Sequence, residues 1–149
     1  MRPFRQSRTA GFSLVEMLVV ISMIGIMALI GWPKMARLLN RSQVKAARSE
    51  VVNKFNQTRM QAVQTGQIMR FRVQGDAIWA ERFIDGVVVG GVQDLNAKFG
   101  VTTSSSPSPI SIAIDPRGVT FTSTTQIIRL GRFGARDSVV IIGYGGIQR

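Results

Sequence analysis

The stretch FSLVEMLVVISMIGIMALIGW, residues 12–32, is the feature of this sequence that most strongly indicates its fold. It holds one charged side chain, Glu16, among 21 residues. As an α-helix it would be roughly 31 Å long, enough to cross the hydrocarbon core of a bilayer. Three arginines and no acidic residue precede it, at Arg2, Arg5 and Arg8. The sequence therefore predicts a basic leader, residues 1–11, followed by a membrane-spanning helix, residues 12–32.

A secretory signal peptide has the same order, with a basic segment before an apolar one. The apolar run here is longer than the roughly 7–15 residues usual for such a peptide, and no small-x-small cleavage site follows it. The residues after it, Pro33 to Arg37, continue a helical pattern. Charge counting leaves the orientation open, because five basic residues follow the run and three precede it.

The junction between leader and apolar run reads Gly11-Phe12-Ser13-Leu14-Val15-Glu16. It resembles the class III signal of type IV prepilins and type II secretion pseudopilins. In that family a membrane aspartic peptidase cuts after the Gly on the cytoplasmic side, and the new N-terminal residue is methylated. The resemblance implies cleavage between Gly11 and Phe12 and N-methylation of Phe12. It also implies a single-pass inner-membrane protein with a cytoplasmic N-terminus and a periplasmic head.

Glu16 is an unusual residue within an apolar span. A carboxylate inside a bilayer costs several kcal/mol unless it is paired or reaches the interface, and it gains some stability near a helix N-terminus. The family resemblance implies that Glu16 pairs with the amine of Phe12 on a neighbouring filament subunit. The alternative is a plain membrane anchor in which Glu16 reaches the lipid headgroups.

Small residues recur every third position in the apolar run, at Ser22, Gly25, Ala28 and Gly31. Small residues allow helices to approach closely, and Pro33 removes a backbone donor and predicts a kink. Related pilins often have a helix-weakening Gly and a Pro at similar places. Ordinary transmembrane packing with a kink at the interface explains the same pattern.

Residues 33–66 are predicted to form an amphipathic helix that ends at Gly66. One face is apolar and should cover a sheet: Val44, Ala47, Val51, Phe55, Thr58 and Ala62. A second stripe is basic: Lys34, Arg37, Arg41, Lys45 and Arg48. We interpret the basic stripe as a solvated or headgroup-contacting face, with acidic groups on neighbouring filament subunits as the alternative partners.

Residues 67–149 are predicted to form an antiparallel β-sheet head, which makes the fold class α+β with a long N-terminal helix. The expected strands are Gln67–Val73, Ala77–Ile84, Gly86–Val92, Ile110–Ile114, Val119–Thr122, Ile127–Phe133 and Ser138–Ile142. Turns are expected at Gly75-Asp76, Asp85-Gly86 and residues 115–118. Residues 102–109, rich in Ser, Thr and Pro, are expected to be an exposed, mobile loop.

Two further segments, one at the end of the helix and one in the head, point to a subfamily of these pilin-like proteins. Residues 58–66, TRMQAVQTG, look like the helix end of H-type minor pseudopilins and fimbrial T/U-type minor pilins. Residues 112–118, IAIDPRG, are similar to the apolar-x-apolar-x-Pro-x-Gly turn of the same proteins. With the N-terminal signal, the resemblance covers nearly the whole chain.

The composition excludes several kinds of chemistry. The chain has no His and no Cys, so it cannot form a Ser–His–Asp or Cys–His nucleophile, a His- or Cys-ligated zinc site or a disulfide. Its acidic residues show no paired spacing that suits acid–base catalysis. We therefore expect no enzyme, no cofactor and no catalytic or metal-binding residues.

The formal charge of +11 is compatible with nucleic acid, anionic lipid or acidic protein partners. The arginines Arg132, Arg136 and Arg149 near the C-terminus are candidate contacts for DNA or an acidic partner, with Phe133 available to stack. Some fimbrial T-type minor pilins bind DNA through a Gly-Arg-x-Arg motif, which the tail of this chain lacks. A solvated basic turn is the alternative.

We expect a minor pseudopilin that assembles into the type II secretion pseudopilus for protein export across the outer membrane. The alternative is a minor type IV pilin that primes pilus assembly or binds DNA during natural transformation. The partners implied by the resemblance are other pilins or pseudopilins in a filament, the prepilin peptidase and N-methyltransferase, and the inner-membrane assembly platform.

Overall fold

The computed structural model describes residues 12–122, 124–143 and 146–148. The predicted leader, Gly11 and Arg149 lie outside these residues. The chain divides into two compact units, Met1–Ala36 and Arg37–Arg149. The first contains the apolar part of a helix, and the second contains the rest of that helix and every strand found in the described residues.

The long helix, α1, spans Leu14–Thr65 and includes Pro33. It begins after Ser13, whose hydroxyl accepts a hydrogen bond from the backbone N–H of Val15 at 3.3 Å. This satisfies one of the donors that a helix N-terminus leaves unpaired. The helix ends at Gly66, which has a left-handed φ of 64°. The sequence prediction of a glycine stop at Gly66 is confirmed.

In the described residues, eight strands form two antiparallel four-stranded sheets. The first sheet has the order β3-β2-β1-β5, and its strands are β1 Met69–Gln74, β2 Ala77–Arg82, β3 Val88–Asp94 and β5 Ile110–Ile114. The second has the order β4-β6-β7-β8, and its strands are β4 Thr102–Ser106, β6 Gln126–Arg132, β7 Ala135–Ile142 and β8 Gly146–Gln148. A short helix, α2 Leu95–Phe99, lies between β3 and β4 in the chain.

One apolar core joins α1 to both sheets. All six residues of the predicted apolar face are buried: Val44, Ala47, Val51, Phe55, Thr58 and Ala62. Phe55 meets Phe71 of β1 edge to face, with ring centroids 5.5 Å apart. Because an aromatic side chain of this size is stabilised by roughly 1.5–3 kcal/mol on full burial, this contact is a major link between helix and sheet.

The alternation predicted for the first strand is also confirmed. Met69, Phe71 and Val73 are buried, while Arg70 and Arg72 point to the other face of β1. The turns predicted at Gly75-Asp76 and Asp85-Gly86 both contain a glycine with positive φ. They connect β1 to β2 and β2 to β3.

The secondary structure of the head differs from the sequence prediction in several places. Residues 102–106 are strand β4, paired with β6, rather than part of a loop. Residues 119–122 form no strand, and an isolated bridge joins Ile114 to Thr120. Helix α2 and strand β8 were not predicted. The predicted antiparallel β head is confirmed, and in the described residues its strands are divided between two sheets.

Candidate functional site

The first half of α1 presents its apolar side chains to the surroundings. Phe12 is 74% exposed, and Glu16 is exposed in the first turn of the helix. The most apolar 18-residue window of the helix has a mean hydropathy of 2.5, and no part of that window is buried by the described residues. By length and composition, this part of α1 is able to cross a membrane.

The small residues in this segment leave space beside the helix. A Cβ atom placed on Gly25 or Gly31 would meet nothing within 4 Å among the described atoms. The Ser22 hydroxyl donates to the backbone oxygen of Leu18 at 2.8 Å, so its hydrogen bond stays within the helix. A neighbouring helix could therefore approach this face closely without leaving a polar group unpaired.

The basic stripe predicted on α1 divides into two parts. Arg48 is half-buried and forms an ion pair with Asp137 of β7, with 3.3 Å between Nη1 and Oδ2. Lys34, Arg37, Arg41 and Lys45 are exposed. Arg48 therefore ties the helix to the second sheet, and the other four present their charge to the surroundings.

The arginines predicted near the C-terminus lie on a tight hairpin. Strands β6 and β7 are joined by the two residues Phe133 and Gly134, and Arg132 pairs with Ala135 across the turn. The strands predicted from the sequence end at Phe133 and resume at Ser138, which leaves a longer connection of four residues. Since Arg136 is a strand residue in the structure, the connection shortens to two residues.

Arg132 has a structural role in this hairpin. Its Nε donates to the side-chain oxygen of Asn40 at 3.1 Å, and its Nη1 donates to the backbone oxygen of Phe99. These bonds hold the hairpin against α1 and the end of α2. Arg136 is exposed and lines the hollow beside Arg41 and Lys45. A contact of these arginines with DNA or an acidic partner stays a prediction, and Arg136 is the better placed of the two.

A polar cluster on the outer face of the first sheet was not predicted. Glu81 accepts hydrogen bonds from Arg70 at 3.0 Å, Arg72 at 3.4 Å and the Trp79 indole at 3.0 Å. Burial raises the pKa of the Glu81 carboxyl, but the bonds from Trp79 and the two arginines lower it more. The net effect is a pKa below the ordinary value, so Glu81 is held as a carboxylate. Cross-strand pairing brings these residues together, and their spacing in sequence gives no such signal.

A second carboxylate fixes the turn after β5. Asp115 accepts from the backbone N–H of Val119 at 2.7 Å and of Arg117 at 2.9 Å, and from Arg117 Nε at 3.1 Å. These bonds, led by the one from Val119, outweigh burial and lower the pKa of Asp115. The turn predicted at residues 115–118 is confirmed, with Gly118 at a φ of 78°.

Lys54 is the buried cation of α1. Its Nζ donates to the backbone oxygens of Gly90 and Gly91, each at 3.1 Å. Burial lowers the pKa of Lys54, while the charge of Glu50 raises it by a smaller amount. Lys54 thus holds β3 against the helix at a point where both glycines have positive φ. Within the described residues, no group of His, Cys, Asp and Glu side chains is arranged to hold a metal ion.

Comparison with protein families identifies the N-terminal segment. Residues 6–32 match the model of the prokaryotic N-terminal methylation motif. This segment contains the predicted cleavage site and Glu16. No curated protein matches the chain.

The fold matches two crystal forms of the type IV minor pilin FimU of Pseudomonas aeruginosa. One has a TM-score of 0.58 and the other 0.55, both at 15% identity. The first match covers 72% of this chain and 88% of the FimU chain in the crystal, and the second covers 70% and 90%. The chain is therefore pilin-like, with a long N-terminal helix followed by antiparallel β-sheets. The expectation of a pilin-like fold is confirmed, and neither structure is a pseudopilin.

Proposed function

We propose that this chain is a minor type IV pilin, made as a precursor, held in the inner membrane by the first half of α1 and then assembled into a filament. One observation carries the proposal: an exposed apolar helix with a lone carboxylate in its first turn coincides with the N-terminal methylation motif. The leader would be removed between Gly11 and Phe12, and Phe12 would be methylated.

The exposed apolar surface is what makes assembly favourable. Large apolar surfaces in water are costly, at about 25 cal/mol for each Å². Lipid would cover the first half of α1 before assembly, and the same segments of neighbouring subunits would cover it afterwards. The open space beside Gly25 and Gly31 suits such helix–helix contact.

Glu16 would fix the axial position of each subunit relative to its neighbour in the filament. Cleavage frees an amine on Phe12, four residues before the Glu16 carboxylate. In a helical stack, the amine of one subunit can neutralise the carboxylate of the next. This pairing offsets the cost of a lone charge among apolar side chains.

The Glu16→Ala variant tests this assignment against Ser22→Ala as a matched control. Ser22 lies in the same segment, but its hydroxyl bonds to its own helix. We expect Glu16→Ala to be processed and present in the membrane yet absent from sheared filaments, and Ser22→Ala to enter filaments normally. Wild-type incorporation of Glu16→Ala would contradict the proposed role.

A pseudopilin of type II secretion is the second candidate. The helix end over residues 58–66 and the turn over residues 112–118 support it, because they resemble H-type pseudopilins as much as minor pilins. The FimU fold supports the pilus instead. Deleting the gene decides between them: loss of surface pili with normal secretion indicates a minor pilin, and loss of secretion with normal pili indicates a pseudopilin.

A further inference from the structure

A basic groove lies where the β6–β7 hairpin meets α1. Two adjoining hollows, of about 260 and 400 Å³, share Arg41 as a wall. Their charged and polar lining comes from α1 and from the hairpin: Arg37, Asn40, Arg41, Lys45, Arg136 and Asp137.

The groove carries a net positive charge without compensation nearby. Its acidic residue, Asp137, is paired with Arg48 at 3.3 Å. Arg37, Arg41 and Arg136 are exposed, and within the described part of the chain they form no ion pair. The two hollows together have four cationic side chains, and three of them, Arg41, Lys45 and Arg136, line the larger hollow. Such a set suits an anionic group with several oxygen atoms, such as a phosphate.

An exposed aromatic ring stands at the tip of the same hairpin. Phe133 is 86% exposed and has a φ of 42°, in a region that non-glycine residues rarely adopt. Asn or Asp would suit this turn position better than Phe. The bonds from Arg132 to Asn40 and to Phe99 hold the hairpin in place. The fold therefore keeps Phe133 out of the core, in a backbone conformation unfavourable for it, which points to a use for the ring outside the fold.

We propose that this groove binds the phosphate of an anionic phospholipid while Phe133 enters the headgroup region of the bilayer. The inference rests on the membrane anchorage in the proposed function. Arg37 follows Trp32 by five residues, so at most about 18 Å of chain separates it from the end of the apolar run. Basic and aromatic side chains that close to a bilayer favour its anionic, interfacial region.

The proposal gives a role to the basic residues that follow the span. On the proposed topology these charges face the periplasm, where the bias of positive charge toward the cytoplasmic side does not account for them. Phosphate binding would hold the head close to the membrane before assembly. Leaving the bilayer for a filament would then break these contacts.

The absence of cysteine allows a single spin label to test the proposal on the full chain. Phe133→Cys receives a nitroxide, and the protein is placed in nanodiscs of phosphatidylcholine alone or with phosphatidylglycerol. The control is Ile84→Cys, which is 93% exposed and shares a hollow with Gly66, at the other end of the helix. Some 29 residues of helix, about 43 Å, separate Gly66 from Arg37.

The label at position 133 should gain accessibility to oxygen and lose accessibility to a polar nickel complex only in the anionic discs. The label at position 84 should be the same in both lipids. The double variant Arg37→Gln/Arg41→Gln should lower the ratio of membrane-bound to free hairpin by about 25-fold, since each arginine near an anionic surface is worth about fivefold.

Several results would overturn the proposal. Equal accessibility of the label at position 133 to oxygen and to the nickel complex in both lipids would contradict a lipid-binding site. Spin–spin broadening that disappears on dilution with unlabelled chain would show a second copy in the groove. Immobilisation by short duplex DNA, without any effect of anionic lipid, would favour nucleic acid. A chain that enters discs of neither composition would contradict the membrane anchorage itself, and the lipid site would fall with it.

Discussion

Arg59 donates from its Nε to the backbone oxygen of Gly118, 2.9 Å away. This bond joins the end of α1 to the turn after β5, and these are the two segments that resemble minor pilins and H-type pseudopilins. A Cβ atom on Gly118 would lie 3.3 Å from Cγ2 of Val63. The packing of the two segments therefore depends on residues from both. The helix supplies the hydrogen-bond donor Arg59, and the missing side chain of Gly118 lets the turn approach the helix closely.

The head should fold without the membrane segment. The unit Arg37–Arg149 is compact, and the chain has no cysteine. We expect a fragment of residues 37–149 to be soluble and to unfold in one cooperative step, with the same midpoint in reducing and oxidising buffer. Denaturant unfolding followed by circular dichroism measures this, and a fragment without a cooperative transition would contradict it.

Replacing Gly118 with Ala should destabilise this fragment more than replacing Gly86. Both glycines have a positive φ, 78° and 69°, so both variants carry the same backbone cost of about 1–2 kcal/mol. Gly86 has open space where its Cβ would stand, whereas Gly118 meets Val63. The difference between the unfolding free energies of the two variants measures the cost of the contact between the new Cβ atom and Val63. Equal values would show that Val63 moves aside at no cost in free energy.

The variant Phe55→Ala should lower the free energy of unfolding by about 3–5 kcal/mol, because it leaves a cavity beside Phe71. The control is Met60→Ala on the same helix, where the side chain is 60% exposed and the expected change is within about 0.5 kcal/mol. Chemical denaturation of the two variants provides the comparison. Similar losses for both would mean that α1 is not packed on the sheets through this face.

Stability should fall in acid partly through Glu81. The pKa of its carboxyl in the folded chain lies below the ordinary value of 4.5. The ionised form therefore stabilises the fold fully above about pH 4.5, and that contribution is lost as the pH falls through the folded pKa.

We expect Glu81→Gln to lower the unfolding free energy at pH 7 by about 1–3 kcal/mol and to make the loss below pH 4.5 shallower. Asp115 should supply part of the slope that remains, since its pKa is also lowered. Asp85→Asn is the control, because the ion pair between Arg82 and Asp85 is exposed. Unfolding curves from pH 3 to 7 give these values, and parallel profiles for wild type and Glu81→Gln would contradict the assignment.

The sequence predicted what local periodicity determines. The apolar positions from Val44 to Ala62 repeat every three or four residues, and all are buried. The alternation from Met69 to Val73 likewise identifies the inner face of β1. In both cases one side of a regular element faces the core, so apolar residues recur along the sequence with the period of that element.

What the sequence missed depends on tertiary partners. Strand β4 is a run of Thr and Ser without apolar alternation, and it is a strand because β6 lies beside it. The bond from Arg132 to Asn40 joins residues 92 positions apart, so no local pattern encodes it. Helix α2 did carry a local signal, since Asp94 caps its N-terminus and Gly100 ends it, but five residues are too few for a helical period.

Mass spectrometry of the protein extracted from membranes tests the central assignment most directly. We expect the mature chain to begin at Phe12, with a methyl group on its amine and residues 1–11 removed. A chain that still begins at Met1, taken from cells in which other prepilins are processed, would contradict the account.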